Sequence, residues 1–580
     1  MSVDLLLSPG FIIIGAAVLL CLPTARWRKI VVGVAPLLAL LRLWALPTGS
    51  HGTVAVATFN LDLLHVTATG RLFASAFLLA VWLGGMFAAA SASRRELISA
   101  YVYAGSAISV TLCGDLITLF LFWEAMAVTS AVVIWSARTR AAWSAGMRYL
   151  LIHLFGGVIL LAGIALWYST GGSLQLGVLQ RPSLGYWLIM AGFLVNTGAP
   201  PLSFWIADAY PQASPTGMVF LAAFTTKTAV YVLISYFAGA DILIPIGLYM
   251  AIYGALYALR EDNVRRILAY SIVNQVGFMV AAVGIGGEMA INGATAHAFA
   301  HIMYKTVLLM GAGSVMLSTG EQRGSALGGL ARRMPWTSAC VLIGAAASMG
   351  VPLTSSFVTK SLILEAAAEH HLSMVWLTLI ICSAAVVFNA GVRFPYLTLF
   401  QPQQSEAVEH GHDPGTLSRV AMMLTAAICL LVGLFPGYFY TLLPYPSNYH
   451  PYNVAHILEQ LQLLLPAALL FFISLPLTTP VGQIQLDTDW LLRRPLLAMW
   501  HNGIMRLLAL GLRSRDYAVA SLVRGYTLLF HYHGPRGILA RSWPTGSIAL
   551  WVALMLVSYV ILFTLRSMDM ATFIKLYLHG

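Results

Sequence analysis

The chain has 580 residues, 59% of them hydrophobic and 9% charged, with a mean hydropathy of +0.82 and a formal net charge of +11. Soluble domains carry about a quarter charged residues, which excludes that class. Recurrent apolar runs of about 20 residues are each long enough to cross a hydrocarbon core of ~30 Å, and they exclude the short alternating segments of a β-barrel.

The sequence therefore predicts an all-α polytopic membrane protein. Spans are expected near 4–23, 30–46, 72–91, 97–113, 115–136, 144–168, 186–210, 217–239, 243–260, 264–285, 293–318, 337–367, 373–391, 419–442, 456–478 and 547–566, about sixteen in all. Asp4 stands where a cleaved signal would have basic residues, so the first span is read as a membrane helix. Arginines and lysines follow the odd spans: Arg26, Arg28 and Lys29; Arg94 and Arg95; Arg138 and Arg140; Arg260, Arg265 and Arg266; Arg323, Arg332 and Arg333. Loops after even spans are nearly free of them, with Arg71 and Arg181 as exceptions. This places those basic loops in the cytoplasm and the N-terminus outside. The net positive charge is then a property of the membrane face, and no nucleic-acid partner is expected. Five scattered cysteines without CxxC or Cys/His spacing suggest no metal, disulfide framework or other cofactor.

An internal repeat is visible. "AGMRYLLIHLFGGVILLAG" (145–163) lies over "GATAHAFAHIMYKTVLLMG" (293–311), and "GAPPLSFWIAD" (198–208) over "GVPLTSSFVTK" (350–360), at offsets of 148 and 152 residues. The offset covers five spans, an odd number, so the copies are inverted. Inverted repeats with Gly/Pro-interrupted helices mark many ion-coupled transporters. Discontinuous helices are expected at Gly198–Pro201 and Gly350–Pro352. The layout is an N-terminal three-helix segment (1–96), repeat A (97–240), repeat B (241–400), two further spans (401–480), a basic stretch (481–546) and a last span with the C-terminus (547–580). The basic stretch holds eight arginines among Leu, Trp and Tyr. It reads either as a helical brace lying on the cytoplasmic face or as a loop bound to headgroups. The histidines of "EHGHD" (409–413) and "FHYHG" (530–534) could bind metal but read rather as solvated loop residues.

Only five lysines occur, and three of them, Lys227, Lys305 and Lys360, fall within apolar spans, as does Glu124. Each charge near a helix centre costs on the order of 3 kcal/mol. Four together cost roughly 10 kcal/mol, comparable with the stability of an ordinary domain. Snorkelling to an interface or a structural ion pair would explain one such residue, but not a set. His297, His301 and Lys305 recur every four residues along one slowly turning helix face. Histidine offers both a donor and an acceptor and titrates near neutrality, and a buried lysine can exchange its proton near pH 7. The row reads as a proton wire. It lacks the cage of carboxylates and carbonyls that would hold bare Na⁺. His153 reads equally as a core histidine or a relay member.

These residues resemble a known family, the antiporter-like subunits of respiratory complex I, membrane-bound hydrogenases and Mrp cation/proton antiporters. The resemblance covers roughly 70–400 and rests on "FWEAM" at Glu124, "PPLSFWIADAYPQASP", "TTKTAVYVL" at Lys227, "EDNVRRILAYSIVNQVGF", "HAFAHIMYK" and "GVPLTSSFVTKSLIL" at Lys360. It is nearest in wording to the Mrp D-type and hydrogenase-associated branch. It implies two inverted five-helix bundles and a hydrated mid-membrane axis through Glu124, Lys227, His297, His301, Lys305 and Lys360. His153, Asn196 and Asp208 are further candidates. The family's lysine before "FWIADAY" is Asn196 here, so Glu124 lacks its usual partner. Either Lys227 pairs with Glu124 or the first half-channel is altered. The implied activity is proton translocation in a multi-subunit antiporter of the cell inner membrane. Other membrane subunits and the lipid bilayer would be its partners, with Na⁺ as a candidate coupled ion. The alternatives are a proton-pumping membrane-arm subunit of a complex I-like or hydrogenase assembly, a proton-driven partner in inorganic carbon uptake, and a non-conducting scaffold. The chain carries no redox motif of its own.

Overall fold

The computed structural model describes residues 3–22, 24–180, 182–402, 405–478, 487–488, 490, 497–534, 536–537 and 544–567. It divides into two compact units, Met1–Asp489 and Trp490–Gly580.

The first unit begins with α1 (Val3–Leu6), α2 (Pro9–Leu19) and α3 (Ala25–Ala45), then turns through an antiparallel hairpin, β1 (Gly49–Val56) and β2 (Phe59–Val66). It continues with α4 (Ala68–Ala88), α5 (Arg94–Thr111), α6 (Leu116–Trp135), α7 (Arg140–Ser169), α8 (Leu184–Thr197), α9 (Trp205–Ala209), α10 (Gly217–Ala223) and α11 (Thr225–Phe237). Then come α12 (Leu243–Arg260), α13 (Val264–Ile285), α14 (Gly287–Thr319), α15 (Pro335–Met349), α16 (Ser355–Glu369) and α17 (Ser373–Val386). The last leads into π-helical turns at Val387–Arg393 and Tyr396–Phe400. α18 (Thr416–Leu434), α19 (Pro436–Tyr440) and α20 (Val454–Thr478) complete the unit. Ten helical stretches among the described residues are long and apolar enough to cross a membrane. The shorter apolar helices include α2, α8 and α15.

The hairpin departs from an all-helical chain. Its turn, Ala57–Thr58, contains neither Gly nor Asn, although Ala57 adopts a positive φ of 51°. Tight hairpins favour Gly and Asn at such positions, so the turn carries no sequence signal. The hairpin docks on the start of α6. The His65 amide donates to the Leu112 carbonyl at 2.7 Å and the Gly114 amide to the Asp62 carbonyl at 2.8 Å. Asp115, 1% exposed, ties the two elements together. Its carboxylate accepts from the amides of Asp62, Ile117 and Thr118 and from the Thr118 hydroxyl, at 2.7–2.9 Å.

The helices form an inner and an outer layer. α10–α11 and α13 are buried throughout their apolar windows, and α14 and α4 nearly so, whereas α7, α12, α18 and α20 turn a wide apolar face outward. That is the arrangement expected of a bundle solvated by lipid. Close packing inside relies on small residues. A side chain at Gly247 or Gly254 of α12 would land on the backbone of α13, at Ala281 and Asn274 respectively.

In the second unit, Leu497–His533 is one helix of 37 residues, and Pro544–Ser567 is another. His531 and His533 thus close a helix rather than sit in a loop. Much of the rest of the expected basic stretch, including Arg493, Arg494 and Arg541, lies outside the described residues, as do Arg181 and Lys575.

Loss of a helix N-cap costs about 0.5–2 kcal/mol, and Asp115 also satisfies the hairpin. Asp115→Ala is expected to destabilise the purified protein by about 2 kcal/mol or more, seen as a lowered thermal unfolding midpoint in detergent. Asp115→Asn should recover part of the loss.

Candidate functional site

Three helix interruptions build the site. α8 stops at Gly198 and α15 at Gly350, each glycine at φ 78° in the left-handed region. Both breaks fall at the Gly/Pro pairs where the repeat predicts them. Each frees backbone carbonyls, and a side chain takes one up: the Trp205 indole donates to Val195 at 2.9 Å, and the Gln460 amide to Met349 at 3.1 Å. The third interruption, at Phe224 between α10 and α11, has no Gly or Pro to announce it. Lys227 serves it. Its Nζ donates to the Ala222 carbonyl at 2.7 Å and to the Thr226 hydroxyl at 3.1 Å. A cation is favoured at the carbonyl end of a helix.

The other two amines are held in the same manner, by neutral oxygens. Lys305 Nζ donates to Ser271 Oγ at 2.7 Å, and Lys360 Nζ to Ser383 Oγ at 3.1 Å with the Phe278 ring 5.6 Å away. Lys227, Lys305 and Lys360 are 0%, 1% and 3% exposed, so none snorkels to a surface. Among the described residues no carboxylate forms an ion pair with any of them. His297 bridges two elements: Nδ1 lies 3.1 Å from Thr359 Oγ1 on α16, and Nε2 lies 3.0 Å from Gln275 Oε1 on α13. Gln275 in turn donates to Asn274 at 2.6 Å and accepts from Tyr304. His301 is fully buried, and neither of its ring nitrogens has a protein partner. It is within electrostatic reach of Lys227, Lys305, His297 and Lys360, and Lys227 and Lys305 are within reach of each other. The His297 and His301 rings lie 6.3 Å apart, and the five residues cluster around His301 without a hydrogen bond between any two of them among the described residues.

The remaining candidates lie elsewhere. Glu124 is only half-buried, on the outward face of α6 that also exposes Leu121 and Val128. Its Oε1 has no hydrogen-bond partner and rests against Gly157 of α7, where a Cβ would strike the carboxylate. Glu124 and Lys227 are therefore not paired. Asn196 is fully buried with both side-chain polar atoms unpartnered. His153 is tied to the Tyr149 carbonyl at 2.8 Å and stacked on the Tyr149 ring, its Nε2 unpartnered. Asp208 holds a two-pronged ion pair with Arg148, at 2.8 Å for each contact. Sequence reasoning missed a hydroxyl chain beside Lys227. Ser130 meets Tyr149 at 2.9 Å, Tyr149 meets Thr225 at 3.2 Å, and Thr225 meets Tyr103. The spacing of Tyr149 four residues before His153 was the available signal.

Buried inward amines, together with two Gly-capped helix breaks, define a polytopic membrane protein of the ion-translocating type. The chain belongs to the family described as "NADH:quinone oxidoreductase/Mrp antiporter, TM", matched over residues 113–387. It is 30% identical over 365 residues to NADH-quinone oxidoreductase subunit M of Pseudomonas aeruginosa, covering 57% of this chain and 70% of that one. It is 30% identical over 279 residues to the D-type subunit of the Na(+)/H(+) antiporter of Alkalihalophilus pseudofirmus, covering 44% and 56%. Other relatives are matched over as little as 36% of their length. The fold is similar to that of a chain in the membrane-bound sulfane sulfur reductase, an archaeal respiratory membrane complex. That likeness has a TM-score of 0.69 and 21% identity, over 95% of this chain and 99% of that chain.

Glu124 on an apolar outward face should react with a lipid-soluble carbodiimide in the purified chain, while Asp115 and Glu96, both buried to 2% exposure or less, should not. Mass spectrometry of the peptides reads the difference. Modification of Asp115 with Glu124 untouched would contradict the geometry.

Proposed function

We propose that this chain is the proton-conducting subunit of a multi-subunit cation/proton antiporter, most like an Mrp D-type subunit, in the cell inner membrane. One observation carries the reading: three buried amines, whose only partners are neutral oxygens, and the buried His297 lie around the unpartnered imidazole of His301. Removal from water disfavours the ionised form of an amine, and like charges close together oppose one another. Such a row holds few protons at a time and passes them on. His301, with two free nitrogens, accepts on one and donates from the other. Protons move between Lys227 and Lys305 by way of His301, and on through His297 to Lys360. Water fills the gaps, since His301, Asn196, Thr228 and Thr295 all present unpartnered polar atoms.

The wider layout follows the same reading. About sixteen spans with the N-terminus outside contain two inverted five-helix repeats, 97–240 and 241–400, and the positive-inside pattern supports this orientation. Glu124, outward and unpaired, meets its partner charge on a neighbouring membrane subunit rather than on Lys227.

A second reading is a membrane-arm subunit of a redox complex, as several relatives are by name. The polypeptides that co-purify with the chain decide between the two. Flavin- or iron–sulfur-bearing subunits favour the redox arm, and only small membrane subunits favour the antiporter.

Lys305→Ala in the intact complex should reduce proton movement in vesicles at least tenfold, followed with a pH-sensitive dye, with assembly retained. Normal transport by that variant overturns the wire. His301→Leu should have a comparable effect, because among the described residues no other is in reach of both Lys227 and Lys360 and also has two unpartnered ring nitrogens.

A further inference from the structure

The two Gly-capped breaks share a backbone setting but are supported differently. At the first the supports are local. The Trp205 indole caps the Val195 carbonyl ten residues away, and the Ile206 side chain lies 2.8 Å from where a Cβ on Gly198 would fall. At the second they are remote. Gln460 of α20 caps the Met349 carbonyl across 111 residues of sequence, and its amide nitrogen lies 3.1 Å from where a Cβ on Gly350 would fall. Beyond the glycine the chain passes through Leu353 at φ 72°. That left-handed setting is disfavoured for a leucine, whose Cβ crowds the following carbonyl. Leu353 is 53% exposed, so packing does little to offset the strain. Its backbone is seated on α18, where a side chain at Gly433 would strike the Leu353 carbonyl.

α16 starts at Ser355 and is gripped from the same remote stretch. The buried Phe357 ring stacks on the His456 ring at 4.5 Å and on the Tyr452 ring at 5.2 Å. The Tyr452 hydroxyl donates to the Gly433 carbonyl, and the Tyr440 hydroxyl to the Val358 carbonyl at 2.7 Å. The His456 imidazole is itself fixed, with Nδ1 2.8 Å from the Pro451 carbonyl. Residues three apart on a helix are surface neighbours. A ring locked at Phe357 therefore sets the rotation at which Lys360, three residues on, meets Ser383 and at which Thr359 meets His297.

We propose that residues 433–460 form a clamp on the second helix break, in which Tyr452, His456 and Gln460 are positioning residues that hold α16, and Lys360 on it, against the strain at Leu353. When the clamp loosens, Leu353 leaves the left-handed region, α16 turns, and Lys360 and Ser383 part. The clamp acts through Met349, Gly433 and Phe357 rather than on the buried row itself. The first break has a local cap and glycine as its left-handed residue, and needs no such device. The effect on transport rests on the proton-conducting reading given above.

The test measures proton movement by the intact complex in vesicles, alongside its thermal unfolding midpoint in detergent. His456→Ala and Gln460→Leu should each lower transport at least threefold with assembly retained. His456→Phe, which keeps a ring against Phe357, should transport within about twofold of the parent. Leu353→Gly removes the strain, since glycine adopts this φ freely. It should raise the midpoint, and in the His456→Ala background it should restore at least half of the lost transport. A more flexible residue at 353 would not repair a simple loss of packing. Normal transport by both His456→Ala and Gln460→Leu overturns the clamp. So does a loss that His456→Phe shares and Leu353→Gly leaves unrepaired, and so does a midpoint lowered by Leu353→Gly. Lys305→Ala separates the two claims. If it is inactive while the clamp variants transport normally, only the clamp falls. If it transports normally while Leu353→Gly raises the midpoint and repairs His456→Ala, the conducting reading falls and the clamp stands.

Discussion

Three amines sit in the core of this protein with hydroxyl and carbonyl oxygens as their only partners. A full countercharge would be the simplest way to stabilise each, and a salt bridge buried in a low-dielectric core is hard to break once made. The chain instead supplies dipoles. One comes from the Ala222 carbonyl of a helix that stops at Ala223, and two come from serines on neighbouring helices. This choice dictates much of the architecture. Backbone carbonyls become available only where helices are interrupted, and interruptions are tolerated at membrane depth only where protein or water covers them. The inner layer of α10–α11, α13 and α14 is accordingly buried almost completely, while lipid-facing helices surround it.

The polar interior is uneven. Around α13, α14 and α16 the amines, imidazoles and amides gather in one polar group. Around α6 to α8 and α11 the buried polar groups are Asn196, His153 and the hydroxyls of Ser130, Tyr149, Thr225 and Tyr103. Hydroxyls and amides can orient water but carry no charge of their own. Glu124 faces outward, away from them. The fully buried cation beside these groups is Lys227, the residue that also completes the broken end of α10.

Much of this was legible in the sequence because the membrane makes polarity expensive. Lysines in apolar runs, Lys360 among them, stand out for that reason, and the row at His297, His301 and Lys305 could be named from its four-residue spacing. The two helix breaks were legible because glycine in the left-handed region and nearby proline leave a sequence mark. The break at Phe224 left none, since its backbone is held by the remote Tyr103 and by the side chain of Lys227 rather than by a glycine or proline. The hairpin was illegible for a similar reason. It is held by Asp115, some fifty residues further along, and its turn uses an alanine where glycine or asparagine is the usual sign. The outward direction of Glu124 was equally hidden. Helical spacing says which residues share a face, not which face another helix will cover.

The π-helical turns that follow α17 carry a different lesson. A π turn is an α-helix that has absorbed one extra residue without breaking. Upstream of the first such turn, Ser383 faces Lys360; at its far end, Arg393 grips the carbonyls of Ala258 and Leu259 at 2.9 Å. The widened turns give these two ends of one continuous rod independent rotational settings. The amine's partner and the anchor on α12 can each be satisfied without compromise. A length change of one residue in 387–400 would be absorbed as a winding or unwinding of the rod, leaving the serine in register with its lysine.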